Sequence, residues 1–166
     1  MASNHHTFAL TDAAATAALG AAFAPLLRPG LKIYLHGDLG AGKTTFARGL
    51  IRALGHSGPV KSPTYALVEF YVFSRYILYH FDFYRFNHPE EWLEAGLDEH
   101  FNEASVCLVE WPEKAGGLLP DADVEIRFEL DASGEARTVS LEGSSDRGAS
   151  CLNALPAPHL LFAPRP

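Results

Sequence analysis

Short apolar runs and amphipathic stretches follow one another along the chain, separated by clusters of Gly and Pro. Leu31-Lys32-Ile33-Tyr34-Leu35-His36 predicts a strand, and residues 45–54 predict a helix that Gly55-His56-Ser57-Gly58-Pro59 ends. Upstream, Thr11 and Asp12 supply an N-cap and a first-turn acid for an Ala-rich helix reaching Leu27, stopped by Pro29-Gly30. Pro63 forces Ser62 extended, which makes residues 60–65 an irregular connection. Residues 66–73 and 76–84 are rich in aromatic and β-branched side chains and predict a hairpin. The turn at Ser74-Arg75 lacks the glycine of a tight hairpin, so its register stays open. Residues 89–102 predict one or two short helices broken near Gly96, and residues 105–109 a fully buried strand. Residues 123–130 and 137–141 alternate around a Ser133-Gly134 turn. Beyond Ser144 the pattern fades to a short helix at residues 149–155 and four prolines in residues 156–166, the composition of a disordered tail. One domain over residues 1–143 and a partly disordered tail over 144–166 are expected.

The turn between the first strand and the second helix carries the chemistry. Gly37, Asp38, Leu39, Gly40, Ala41, Gly42, Lys43, Thr44 and Thr45 complete the pattern G-x-x-x-x-G-K-[ST] between a strand and a helix. A nucleotide phosphate needs many main-chain N–H donors converging on one point. Glycines let the chain wrap that tightly, and the helix N-terminus adds partial positive charge. Lys43 is expected at the β- and γ-phosphates and the Thr44 hydroxyl at Mg²⁺. With strands and helices alternating and β-rich sequence later, the fold class expected is α/β. It is a P-loop NTPase-like three-layer fold with a mostly parallel central sheet and an added antiparallel β portion. The phosphate site lies at the C-terminal ends of the strands.

Such a loop needs an acid on a neighbouring strand. Val106-Cys107-Leu108-Val109 runs directly into Glu110, the form of a second nucleotide motif with Glu where Asp is commoner; strands also end on polar residues for no further reason. Asp82, after Leu78-Tyr79-His80-Phe81, is the second acid, or else a turn cap. Together they suit one Mg²⁺ in a hydrolase or phosphoryl-transfer site. Ser62-Pro63-Thr64 lies one helix beyond the loop, where a γ-phosphate-sensing segment would stand; a plain turn fits it equally. Trp111 belongs either to the core or to the mouth of the site.

The chain has 166 residues, 48% of them hydrophobic and 20% charged, and a net charge of −7. Eight acids and no Lys or Arg fall between Glu90 and Glu113. That balance repels phosphate backbones and argues against unaided nucleic-acid binding, whether it is a solvated face or a dock for a basic partner. No membrane span or secretory leader is visible, and two cysteines without CxxC spacing read as cytosolic thiols. The eight histidines show no metal-ligand spacing and read as ordinary core or surface residues. No Asn-Lys-x-Asp guanine motif occurs, which leaves ATP as the nucleotide by default, and no compact Arg-rich lid of the kind small-molecule kinases use.

Four segments together carry a family pattern: residues 37–45, Val60-Lys61-Ser62-Pro63-Thr64-Tyr65, Tyr79-His80-Phe81-Asp82 with Tyr84-Arg85, and Leu108-Val109-Glu110-Trp111-Pro112. Across residues 8–142 the chain resembles the bacterial TsaE (YjeE) family. That resemblance implies a small ATPase, weak alone, that works beside the TsaB–TsaD pair in forming threonylcarbamoyladenosine at position 37 of tRNA. It implies a cytoplasmic protein with ATP and Mg²⁺ as ligands, no membrane, and tRNA reached only through partners. By the same resemblance Lys43 and Thr44 take phosphates and metal, and Asp82 and Glu110 are the acids at the metal and attacking water. Thr64 belongs to a switch-like segment, and Trp111 responds to nucleotide. The Pro-rich extension after Pro156 and Trp92, where an aliphatic residue is usual, depart from the pattern. A metabolite kinase and a nucleotide-gated binding module are the competing readings.

Overall fold

The computed structural model describes residues 4–161. Seven strands form one sheet: β1 (Asn4–Leu10), β2 (Lys32–His36), β3 (Val68–Val72), β4 (Ile77–Asp82), β5 (Ser105–Glu110), β6 (Val124–Leu130) and β7 (Arg137–Gly143). Their order is β1-β7-β6-β2-β5-β4-β3. β6, β2, β5 and β4 are mutually parallel, while β3 on one flank and β7 and β1 on the other pair antiparallel. The parallel centre with an antiparallel addition is the fold class expected from the sequence.

Side-chain parity along the strands builds two cores. Ile33, Leu35, Val106 and Leu108 face α1 (Ala13–Phe23), α2 (Lys43–Ala53) and α4 (Asp146–Asn153), with Leu19, Phe23, Phe46, Leu50 and Leu152 fully buried among them. Tyr34, Cys107, Val109 and Phe81 point the other way, towards Phe83, Phe86, Leu97 and Trp92, the last carried by the short helix α3 (Glu91–Glu94). Three layers result. The atypical Trp92 is core: it is 2% exposed and meets Phe101 edge-on at 5.3 Å. Gly96 breaks the 89–102 segment at φ 73° before a 3₁₀ turn, Leu97–His100.

Several boundaries differ from the pattern-based expectation. β1 was not anticipated, because only Phe8 and Leu10 of its seven residues are apolar and buried; the strand exists because β7 supplies its partner in register, Phe8 opposite Val139. The first helix ends at Phe23 rather than Leu27, and a 3₁₀ turn over Ala24–Leu26 carries the chain to Leu27. The hairpin closes with Val72 opposite Ile77 through a wider turn in which Phe73 N–H donates to Tyr76 O at 3.0 Å.

The short helix expected at residues 149–155 is observed as α4, residues 146–153, which buries Cys151 and Leu152 against the sheet. Its start precedes the expected 149 because Ser145 caps it, accepting from Gly148 N–H at 3.0 Å while donating to Asp123 Oδ1 at 2.7 Å. A Cβ at Gly148 would stand 1.7 Å from the Asp123 carbonyl oxygen, so only glycine lets this helix seat. A final short helix, α5 (Pro158–Leu161), follows, and residues 162–166 of the Pro-rich stretch lie outside those described. Among the described residues no helix is long and apolar enough to cross a membrane.

Candidate functional site

The same parity that builds the cores builds the site. Leu78, His80 and Asp82 alternate onto the α2 face of β4, and Val106, Leu108 and Glu110 onto the same face of β5. Asp82 lies directly opposite Glu110 in the parallel register, and Leu35, the penultimate residue of β2, is Glu110's other neighbour. Both acids therefore stand at strand ends beneath the N-terminus of α2. They are almost fully buried, at 5% and 2% exposed.

The loop from β2 into α2 is shaped by its glycines. Gly37 (φ 146°) and Gly42 (φ 115°) hold conformations that L side chains resist, and a Cβ at Gly37 would come within 2.7 Å of Phe128 O. Gly42 is the N-cap of α2 and offers no side chain to its amides. The first intrahelical hydrogen bond is Phe46 N–H to Gly42 O at 2.9 Å, so the amides of Lys43, Thr44 and Thr45 precede any helical acceptor and face outward. Helix start, positive end of the dipole and free donors coincide.

Lys43 is 4% exposed. Its ammonium donates to the carbonyl oxygens of Gly37 and of Asp38, the latter at 3.1 Å, and lies 4.1 Å from the centroid of the Trp111 ring. Burial lowers its pKa, and the nearby Glu110, Glu113 and Asp82 charges act the other way. Trp111 reaches this position because its backbone turns left-handed (φ 58°) directly after β5, and Tyr84 packs on it at 5.0 Å. Trp111 meets both expectations at once, packing against the second core while lining the cleft.

Glu110 is held at both oxygens. Thr44 donates its hydroxyl to Oε1 at 3.0 Å, and His80 Nε2 meets Oε2 at 2.6 Å. Asp82 accepts from Tyr84 N–H on Oδ1 (2.9 Å) and from the Thr64 hydroxyl on Oδ2 (3.2 Å). Thr64 in turn shares a 2.8 Å hydrogen bond with Ser62. Most of the residues singled out in the sequence line one cleft of about 230 Å³, namely Leu39–Thr45 of the loop, Thr64, Asp82, Glu110 and Trp111, whereas Gly37 and Asp38 line a neighbouring hollow beside His36. Larger hollows of about 530 and 380 Å³ lie beside His36; the first is lined by Gly37, Asp38 and Ala41 of the same loop, and neither includes Thr44, Asp82 or Glu110.

Burial is the main reason the Asp82 carboxyl is raised above its ordinary pKa of 3.8; Tyr84 and Thr64 oppose it, and Glu110 adds to it. The sign is definite: a carboxyl raised in the fold contributes stability only below its unfolded pKa and loses it as pH rises through the folded value. Asp82→Asn is therefore expected to raise the melting temperature of metal-free, nucleotide-free protein at pH 7–8, and the gain should shrink on acidification. A lower melting temperature at pH 7–8 for the asparagine variant would contradict this account of Asp82.

One residue escaped sequence reasoning. His80, read as an ordinary histidine, is fully buried, bonded to Glu110 through Nε2, and left without a partner at Nδ1. The signal was its place two residues before Asp82 on the same strand face. Glu110, counted in the acidic surface run, belongs inside the site and not to a solvated face.

The family model described as "Threonylcarbamoyl adenosine biosynthesis protein TsaE" matches residues 10–139. The chain belongs to the TsaE family. Among TsaE-family relatives, the tRNA threonylcarbamoyladenosine biosynthesis protein TsaE of Haemophilus influenzae is 45% identical over 124 residues, which is 75% of this chain and 77% of that protein. The Bacillus subtilis protein of the same name is 44% identical over 112 residues, 68% of each chain. A crystal structure of Bacillus subtilis YdiB superposes with a TM-score of 0.77 at 28% identity, covering 92% of this chain and 95% of that one. The match runs across the loop, the 62–64 segment, Asp82 and Glu110, so every segment of this TsaE-family site lies within the family's span.

Proposed function

We propose that this TsaE-family protein binds and hydrolyses ATP in support of tRNA threonylcarbamoyladenosine formation, working with the TsaB–TsaD complex and meeting tRNA only through those partners. Family membership supports the pathway. The observation that carries the ATPase reading is the Thr44–Glu110 hydrogen bond, which ties the loop's hydroxyl to an acid on the adjoining strand below three unengaged helix amides.

The donor set fits a hard cation: a hydroxyl and two carboxylates, all oxygen. Thr44 and Glu110 would hold Mg²⁺, with Asp82 completing its surroundings, and the ion would neutralise phosphate charge. The chain's own residues do the rest. The amides of residues 42–45 orient the phosphates, and Lys43 leaves the Gly37 and Asp38 carbonyls to reach the β- and γ-oxygens. In this reading Asp82, bridged to Thr64, aligns the water that attacks the terminal phosphorus. Its carboxylate accepts the water's proton as the P–O bond to ADP breaks, leaving ADP and inorganic phosphate. Thr64, and Asp82 through it, are tied to the 62–65 segment, in which Pro63 is buried but Ser62 and Tyr65 are exposed, Tyr65 at 82%, so a partner touching it can set turnover.

ATPase measured with and without the TsaB–TsaD complex tests this reading. Slow release of ADP and phosphate alone, accelerated at least about tenfold by the complex, is expected. No ADP in either case would overturn it, and a phosphorylated metabolite made from a mixed pool would establish the kinase alternative.

A further inference from the structure

Arg137 opens β7 and lies 8% exposed against the phosphate loop. A Cβ placed on Gly42 would sit 2.4 Å from its Nη1, so the guanidinium packs on the bare face of that glycine. It lines the same cleft as Lys43, Thr44 and Glu110, beside Ala13 at the start of α1. Its protein partners do not match its charge. Nη2 donates to Glu135 O at 3.2 Å, Nε has no partner, and among the described residues no carboxylate comes within ion-pair distance. A guanidinium this buried and without a counter-ion is costly unless an anion arrives.

We infer that Arg137 is a second cationic contact for the nucleotide's phosphate tail, reaching it across the bare face of Gly42. This rests on the ATP-binding reading above and adds a residue to it. Lys43 stands over the Trp111 ring in the cleft that Glu110 and Asp82 also line, whereas Arg137 packs on Gly42. In this inference Lys43 serves the terminal phosphate and Arg137 the proximal phosphates, which ATP and ADP have in common. Its planar fork suits two phosphate oxygens at once, which an ammonium cannot match. Binding at that end acts on substrate and product alike and leaves the bond-breaking step alone.

The test is Arg137→Gln and Arg137→Lys in the full chain, with ADP and ATP affinities read from Trp111 fluorescence and KM and kcat measured with the TsaB–TsaD complex. Arg137→Gln should weaken ADP and ATP equally, by about ten- to a hundredfold, the range of a charged hydrogen bond. KM should rise by the same factor with kcat within about twofold, and Arg137→Lys should recover part of the affinity. Wild-type affinity in a folded Arg137→Gln variant overturns the inference while leaving ATP binding intact, as does a fall in kcat at unchanged KM. Should the glutamine variant not fold, an Arg137→Lys protein with unaltered ADP affinity overturns it equally. Wild-type protein that binds neither nucleotide would remove the ATP-binding reading itself, and the role of Arg137 with it.

Discussion

Lys43→Ala is expected to lower ATP turnover about 10²- to 10³-fold, the range seen when one preorganised electrostatic group is removed from a transition state. The side chain is buried at 4% exposure, so its charge acts across little water, and no other lysine lines the cleft to replace it. Its ammonium donates to two loop carbonyls and stands over the Trp111 ring, an arrangement that the proposed phosphate binding would have to open. The cation–π contact, at about 0.5–2 kcal/mol, is weak enough to be exchanged for phosphate oxygens. Two readouts follow. Turnover collapses, and the emission of Trp111 in nucleotide-free protein shifts because the cation over its ring is gone. Turnover within a factor of three of the wild type would show that the loop is not the site of hydrolysis. An unchanged Trp111 signal would deny the Lys43–Trp111 contact separately.

How much of this was legible in the sequence depends on what kind of physics set each feature. The phosphate loop was readable because its requirements are local: two glycines at positive φ, a lysine and a hydroxyl at fixed spacing, a strand before and a helix after. Glu110 and Asp82 were readable because an apolar strand ending on an acid is also a local pattern. That they are neighbours is not local. It follows from β4 and β5 pairing in parallel with Asp82 opposite Glu110, and nothing within residues 77–82 states the register. His80 went unremarked for that reason, since only the paired strands bring it to Glu110. β1 was invisible because its stability comes from β7, more than 120 residues away, and not from its own polar sequence. The α4 cap was written plainly as Ser145-Asp146, but fading hydrophobic periodicity obscured it; burial of Cys151 and Leu152 needs the sheet to be present first. Arg137 looked like one of several scattered arginines, and its placement in the cleft is purely tertiary.

Glu110→Gln should separate chemistry from structure. The amide is isosteric, its oxygen can still accept from the Thr44 hydroxyl, and its nitrogen can donate to His80 Nε2 once the imidazole proton moves to Nδ1, so both hydrogen bonds of residue 110 are kept at the cost of a buried Nδ1–H without a partner. What is lost is the negative charge beside Thr44, the one that would hold Mg²⁺ against the phosphates. Turnover with the TsaB–TsaD complex is expected to fall by at least about 10²-fold, with nucleotide affinity changed far less when it is measured without metal. tRNA modification should fall with it, since hydrolysis in this reading supports turnover of the assembly. If hydrolysis disappears while partner binding and modification both continue at wild-type rates, nucleotide occupancy alone does the work. The protein is then a nucleotide-gated binding module, and the geometry around Glu110 serves to order the 62–65 segment through Asp82 and Thr64.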